Sequence, residues 1–269
     1  GLDAAQSALR RVSEVGPLYD IYLENEYFAM LNRNVRPPLA EGFELYLESD
    51  SVKEMQLDFV ESAMQAKGNP YDTHPPLSQR LAAAAEVDGA GTETGEGPLG
   101  ITLLREIPKV EEATLLFMTR NKTVTQIPRS SWTDCAEVIS KAWKPFVEEH
   151  AAKLPSIRAG DLGEQRDKLV AMAKTVNPEV PEQEQLSAGA WFLGILLAQG
   201  LERSGFQART SPGNPIDLVR GACTIEAFNR THEVATGRFD AEAWKRVCAA
   251  EKIEDLVLSG PELAAQGSA

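Results

Sequence analysis

Residues 188–198, Ala-Gly-Ala-Trp-Phe-Leu-Gly-Ile-Leu-Leu-Ala, are apolar without interruption. A helix that crosses a bilayer needs about 20 such residues. This run is too short for that and reads as a helix buried on all sides. It lies within a longer predicted helix, 185–203, and the rest of the chain holds the amphipathic partners such a helix needs.

Apolar residues recur at helical spacing along most of the sequence. Leu9, Val12, Val15, Leu18, Tyr19 and Tyr22 form one face, and Tyr22, Leu23, Tyr27, Met30 and Leu31 another. Gly16-Pro17 interrupts the series and predicts two helices or one kinked helix. Residues 34–38 read as a stop. Leu39, Phe43, Tyr46 and Leu47 mark a short helix. Ser51, with Glu54 three residues on, reads as the capped start of the next, which Gly68-Asn69-Pro70 ends. Leu77, Leu81 and Ala84 mark another. Residues 88–98, Asp-Gly-Ala-Gly-Thr-Glu-Thr-Gly-Glu-Gly-Pro, have no apolar periodicity and the composition of a flexible linker.

Beyond them, Val110, Thr114, Leu115, Phe117 and Met118 predict a helix, and the β-branched stretch 122–128 a short strand. Ser131 reads as the cap of a helix kinked at Pro145, and residues 162–176 as another helix. Gln207–Thr210 and Ile216–Val219 flank the turn-forming Ser211-Pro212-Gly213-Asn214-Pro215 and predict a β-hairpin. Thr224 reads as the cap of a helix ending at Gly237, Asp240 as the cap of the last helix, and the tail from Gly260 as disordered. Trp132, Trp143, Trp191 and Trp244 fall at core spacing. The expected fold is mainly α: a helical bundle in two subdomains, with a small β-hairpin in the C-terminal one. The expected divisions are 1–87, the linker 88–98, 99–259 and the tail 260–269.

Lys and Arg number 27 against 40 Asp and Glu, a net charge of -13. Affinity for nucleic acid rests on cations that neutralise phosphates, so no nucleic-acid partner is expected. Anionic lipid headgroups are disfavoured for the same reason. Cys135, Cys223 and Cys248 are too few and too scattered for a disulfide framework or a Cys-x-x-Cys zinc site. Residues 2–9 lack the basic-then-apolar order of a signal peptide.

The most informative segment is Asn69-Pro70-Tyr71-Asp72-Thr73-His74-Pro75-Pro76-Leu77-Ser78-Gln79-Arg80-Leu81. Pro75 biases His74 toward an extended conformation. Pro76 suits a first helical turn, where its missing N–H costs nothing. The His74 ring would then lie near the positive end of a helix dipole, which favours the neutral, metal-competent imidazole. Asp72 is placed to orient one ring nitrogen. The plain alternative is that His74, Pro75 and Pro76 only anchor a turn and start a helix.

Thr73-His74-Pro75-Pro76 with Arg80 resembles the Thr-His-Pro-x-x-x-x-Arg motif of the HtpX-like and CAAX-prenyl-protease-like integral-membrane zinc metallopeptidases. Leu39-Ala40-Glu41-Gly42-Phe43, after Arg36-Pro37-Pro38, also resembles the stretch before that motif in membrane-bound bacterial members. The resemblance covers residues 1 to about 86. Looser likenesses, at residues 211–215 and 240–244, are to C-terminal extensions in the same group.

The resemblance implies a parent enzyme whose zinc sits on a His-Glu-x-x-His helix. This chain departs from it there. Its histidines are His74, His150 and His232, and His232-Glu233-Val234-Ala235-Thr236 has threonine where the second ligand belongs. His232 therefore reads as a helix-surface residue. The implied role is the non-catalytic, soluble C-terminal region of a membrane-anchored zinc endopeptidase, on the cytoplasmic face of the membrane, with no catalytic residue or metal of its own. His74 would be zinc-modulating in the parent, supported by Asp72, Thr73, Pro75, Pro76 and Arg80. The implied partners are the upstream catalytic and membrane part and unfolded or membrane protein substrates. The alternative is a helical interaction module with no proteolytic role. The pairs Glu111-Glu112, Glu148-Glu149 and Glu182/Glu184 read as solvated helix faces.

Overall fold

The computed structural model describes residues 2–68, 75–86 and 104–266, with the side chains of 264–266 excepted. The fold is mainly α with a small β content, as the periodicity predicts. The chain forms two compact units, Gly1–Trp132 with Pro212–Asn214, and Thr133–Ser211 with Pro215–Ala269. Residues 88–98, read above as the boundary, lie outside the described residues.

In the first unit, α1 (Leu2–Tyr22) runs unbroken through Gly16-Pro17. A proline inside a helix costs about 3 kcal/mol. Here it sits on the exposed side, while Leu18 and Tyr22 on the other side are fully buried, and that packing outweighs the loss. The distortion comes one turn later, as a π-helical stretch at Leu23–Tyr27 before α2 (Phe28–Leu31). Asn34 leaves the helix in a left-handed conformation. Then come α3 (Leu39–Glu48), α4 (Asp50–Gln65), α5 (Leu77–Ala85) and α6 (Ile107–Thr119), with α1 packed on α4 and α5.

Tyr22 centres an aromatic core. Its ring lies 5.4 Å from Phe43, 5.6 Å from Tyr46, 6.1 Å from Tyr27 and 6.2 Å from Trp132. Gly42 lets α3 approach: a Cβ there would stand 2.2 Å from the Tyr22 hydroxyl and 2.3 Å from the Trp132 Nε1. Burial raises the Tyr22 phenol far above its ordinary pKa, so it stays a neutral donor to the Leu39 carbonyl at 3.0 Å.

Two local expectations fail in this unit. The cap of α4 is Ser49, not Ser51. Both hydroxyls are engaged elsewhere, donating to the Gly213 carbonyl at 2.8 and 3.0 Å. Lys122–Gln126 is a 3-10 turn, not a strand. The Asn121 side chain accepts from Thr123 N at 3.0 Å and folds the β-branched stretch back on itself.

The second unit is built round α9 (Gln185–Arg203), buried on nearly all sides from Gly189 to Leu201. It packs against α8 (Leu169–Val176) and α10 (Ala227–Thr236). Trp191 is the exception to the core expectation: it is 51% exposed, and Trp143 is half-buried, whereas Trp132 and Trp244 are core. Residues 162–168 belong to a 3-10 stretch, Ala159–Lys168, ahead of α8. The remaining helices are α7 (Trp132–His150), α11 (Ala241–Glu251) and α12 (Pro261–Gln266).

The hairpin forms as expected, β2 (Gln207–Arg209) against β3 (Asp217–Arg220), with Gln207 opposite Val219. Cys223–Glu226, read as the start of a helix, is a third strand, β4, on the other side of β3. It turns Ile225 into the core, and the helix starts only at Ala227. β1 (Ile157–Arg158) pairs with β5 (Val257–Ser259). The expected disordered tail instead carries α12 at 261–266, anchored by Gly260 N to the Ala151 carbonyl at 3.0 Å.

Candidate functional site

Of the residues singled out by the motif, Asp72, Thr73 and His74 lie outside the described residues. The other half of the motif leads into α5. Pro75 is exposed, and Pro76 is the extended N-cap of α5, at φ -52° and ψ 152°. Pro76 therefore stands one place before the first helical residue expected for it. Its carbonyl accepts from Arg80 N at 3.1 Å, and Arg80 is half-buried. Leu77 and Leu81 are buried, and the Leu81 carbonyl accepts from the Gln6 side chain of α1 at 3.3 Å. The helix that follows His74 is thus fixed in the first unit.

His232 is exposed on α10, as its helical reading predicts. His150 ends α7 in a buried setting, its ring 4.9 Å from Phe146. Among the described residues no group of three His, Cys, Asp or Glu side chains is placed to hold a metal, and no helix is long and apolar enough to cross a membrane. Cys135 and Cys248 are fully buried. Burial pushes each thiol up to about 11, with a smaller contribution from a nearby carboxylate, so neither is an activated thiolate. Ser140 on α7 does have a carboxylate partner, which the sequence does not signal. Its hydroxyl donates to Glu202, while the Gln199 amide donates to both, at 2.7 Å each. The trio is a hydrogen-bonded cross-link between α7 and α9.

A cavity of about 120 Å³ lies elsewhere in the first unit, at Arg36-Pro37-Pro38. Tyr27 and Arg129-Ser130 form part of its wall, and Pro108, Glu111, Glu112 and Leu115 of α6 the rest. The backbone builds it simply. Pro37 and Pro38 hold the segment after Arg36 extended and deliver it to α3, whose N-cap is Pro38. Arg36 forms a parallel bridge with Arg129: its N–H reaches the Pro128 carbonyl at 3.0 Å, and its carbonyl accepts from Ser130 N at 3.2 Å. Both arginines are thereby brought to one wall.

The charges are unequally satisfied. Glu111 accepts from Ala40 N at 2.7 Å, so it caps the first turn of α3, which Pro38 has no side chain to cap. Glu112 lies 3.3 Å from the Arg129 guanidinium and 3.9 Å from that of Arg36. Arg36 is only 8% exposed, and its buried Nε has no hydrogen-bond partner. Burial, and then the Glu111 charge, push the Tyr27 phenol well above its usual range, against the smaller pull of Arg36 and Arg129. It is a neutral wall group.

Sequence reasoning noticed Glu111 and Glu112 only as a solvated pair. Both are half-buried and both have partners. It missed Arg36 and Arg129 because nothing in their spacing links them. The one available signal was an arginine followed by two prolines, a stiff segment that presents its side chain in a fixed direction. No protein-family model, curated protein or solved structure matches the chain.

Proposed function

We propose that this chain is the non-catalytic C-terminal region of a membrane-anchored zinc endopeptidase of the HtpX-like and CAAX-prenyl-protease-like kind, on the cytoplasmic face of its membrane. The observation that carries the reading is Thr73-His74-Pro75-Pro76 running directly into α5, with Pro76 as its extended cap and Leu77 and Leu81 buried. A residue meant to reach a metal needs a rigid support, and α5 is such a support. The second resembling stretch, residues 39–43, is also structurally committed: it supplies the Gly42 close approach, and the Arg36-Pro37-Pro38 segment before it lines the cavity. In this reading zinc belongs to the upstream catalytic part, and the region completes the wall of the protease chamber.

The test uses the full-length polypeptide and this chain side by side. The full-length protein should bind zinc and cleave casein, with cleavage stopped by chelator. The isolated chain should do neither, because catalytic zinc needs three protein ligands. In the full-length protein His74→Ala should change the cleavage rate more than the unfolding temperature. A reading frame without a His-Glu-x-x-His helix, or an unchanged rate in His74→Ala, overturns the proposal.

The second reading, a helical interaction module without proteolytic role, draws on large apolar side chains at the surface of the first unit. Phe117 on α6 is 84% exposed and Leu57 on α4 72%. An exposed phenylalanine is of the kind enriched where proteins meet. The same inspection of the reading frame separates the two.

A further inference from the structure

We infer that the outward face of α6 is a self-association surface, on which a second copy of this chain lays its own α6 antiparallel, about a two-fold axis at Ala113. This goes beyond the peptidase reading and does not depend on it.

The two sides of α6 differ sharply. Leu115 is 1% exposed and faces the core of the first unit. Phe117, two residues on and so on the opposite side of the helix, is 84% exposed. Val110 is 39% exposed, and Ala113, between them, is exposed too. Glu106 and Arg120 stand exposed at the two ends, as the N-cap and C-cap residues. Glu106, Val110, Ala113, Phe117 and Arg120 follow one another at steps of four, three, four and three. That alternation is the seam by which one helix pairs with another. Here it points away from the core that Leu115 faces, so it is a second apolar stripe that the fold itself does not cover.

The charges identify the occupant. The stripe carries an acid at its start and a base at its end, and its smallest residue lies midway, seven residues from each. Laid antiparallel on a copy of itself, it sets Glu106 of each copy against Arg120 of the other. Ala113 lets the two helices approach, and Phe117 of each copy lies beside Val110 of the other, as a two-fold interface requires. Lys109, which pairs with Glu106 at 2.8 Å, falls beside the Phe117 ring of the other copy and not beside a cation. Parallel pairing would set Glu106 on Glu106 and Arg120 on Arg120 and align the two helix dipoles, so it is disfavoured. With 13 residues, α6 is about 20 Å long. One helix pair of that length covers less than the lower limit of a standard interface, about 1,200 Å². The dimer is therefore weak and forms at high concentration.

The experiment is sedimentation equilibrium of the full chain from about 10 µM to 1 mM, the range of a small interface. A reversible monomer–dimer equilibrium is expected, and a monomer throughout overturns the inference. Phe117→Ala should weaken the dimer at least about tenfold, because it removes the aromatic anchor. Glu106→Arg and Arg120→Glu should each weaken it about tenfold, since each turns two opposite-charge contacts into two like-charge ones. The Glu106 side chain makes no cap hydrogen bond, and Arg120 caps through its backbone N–H, so circular dichroism should find both variants folded. The deciding measurement is an equimolar mixture of these two variants. Neither pairs well with itself, but a Glu106→Arg copy opposite an Arg120→Glu copy again meets opposite charges at both ends. The mixture should recover the affinity of the parent chain, which no effect of either substitution on its own fold would produce. A mixture no tighter than either variant alone, or a Phe117→Ala chain that dimerises like the parent, overturns the inference.

Discussion

The carboxylate of Glu111, on α6, accepts a hydrogen bond from the backbone N–H of Ala40, at the start of α3, with 2.7 Å between the heavy atoms. A helix that begins at a proline has no side chain of its own to satisfy its first-turn donors. The cap is supplied here from a helix far along the sequence. Glu111→Ala should cost about 1 kcal/mol of stability, the usual worth of an N-cap. Urea unfolding would show a lower midpoint at unchanged slope. An unchanged midpoint would mean that water replaces the cap without loss.

Gly42 and Gly16 make a matched pair for substitution. At Gly42 a methyl group would stand 2.2–2.4 Å from the Tyr22 hydroxyl and the Trp132 ring, both inside the core. Gly42→Ala should therefore destabilise by about 1–3 kcal/mol or more. At Gly16, inside α1, no atom outside its own stretch of helix lies within 4 Å. The Pro17 ring crowds a Cβ on a helical residue before it, which offsets the gain in helix preference, so Gly16→Ala should change stability by no more than about 1 kcal/mol. Thermal unfolding should show a much larger loss for Gly42→Ala than any change for Gly16→Ala. Equal losses would contradict the packing of α3 on the aromatic core.

Much of this architecture is legible in the sequence, and the failures have specific causes. Gln185–Arg203 is found end to end because its apolar run is flanked by polar residues on both sides. The hairpin is found because Pro212, Gly213 and Pro215 leave few alternatives to a turn. The third strand is missed because Thr224 looks like a cap. Its real role follows from pairing with β3, which a local pattern cannot reveal. Ser51 is misread because its hydroxyl has a partner 162 residues away, in Gly213. The cavity is the least legible feature. Arg36, Glu112 and Arg129 come from three separate segments, brought together by one backbone bridge and the packing of α6.

Glu26 gives the first unit a defined pH response. Its side chain is largely buried, and desolvation raises its pKa above the ordinary 4.5, partly offset by the hydrogen bond it accepts from Gly213 N at 3.2 Å. A raised carboxyl pKa means that the folded chain holds the proton more tightly than the unfolded chain. The resulting stabilisation is full below pH 4.5 and is lost as the pH rises through the folded-state value. At neutral pH the charged carboxylate therefore works against the fold. Glu26→Gln keeps an oxygen for Gly213 N and removes the charge. It should raise the unfolding temperature at pH 7, and the difference should shrink toward zero near pH 4. A variant less stable than the parent at pH 7 would show that the charge is better solvated than its burial implies.

Three glycines on α9 show how a helix can be enclosed on several sides, and they should not be equally sensitive. At Gly189 an added Cβ would lie 2.1 Å from the Leu169 carbonyl oxygen and 2.6 Å from its carbon, both backbone atoms of the start of α8. At Gly194 it would meet the Phe228 ring at 2.7 Å, and at Gly200 the Leu258 Cδ2 at 2.6 Å. A leucine methyl can swing to another rotamer, a packed ring has less freedom, and a backbone carbonyl can move only with its helix. Each alanine also gains about 1 kcal/mol in helix preference over glycine. Gly200→Ala should therefore come out near neutral to about 1 kcal/mol destabilised, and Gly194→Ala at about 1–3 kcal/mol. Gly189→Ala should exceed about 3 kcal/mol or prevent folding of the second unit, because α8 must separate from α9 to admit the methyl group. Chemical unfolding of the three variants, with circular dichroism to confirm helix content, would rank them. A tolerated Gly189→Ala would mean that α8 lies further from α9 than a 2.1 Å approach allows.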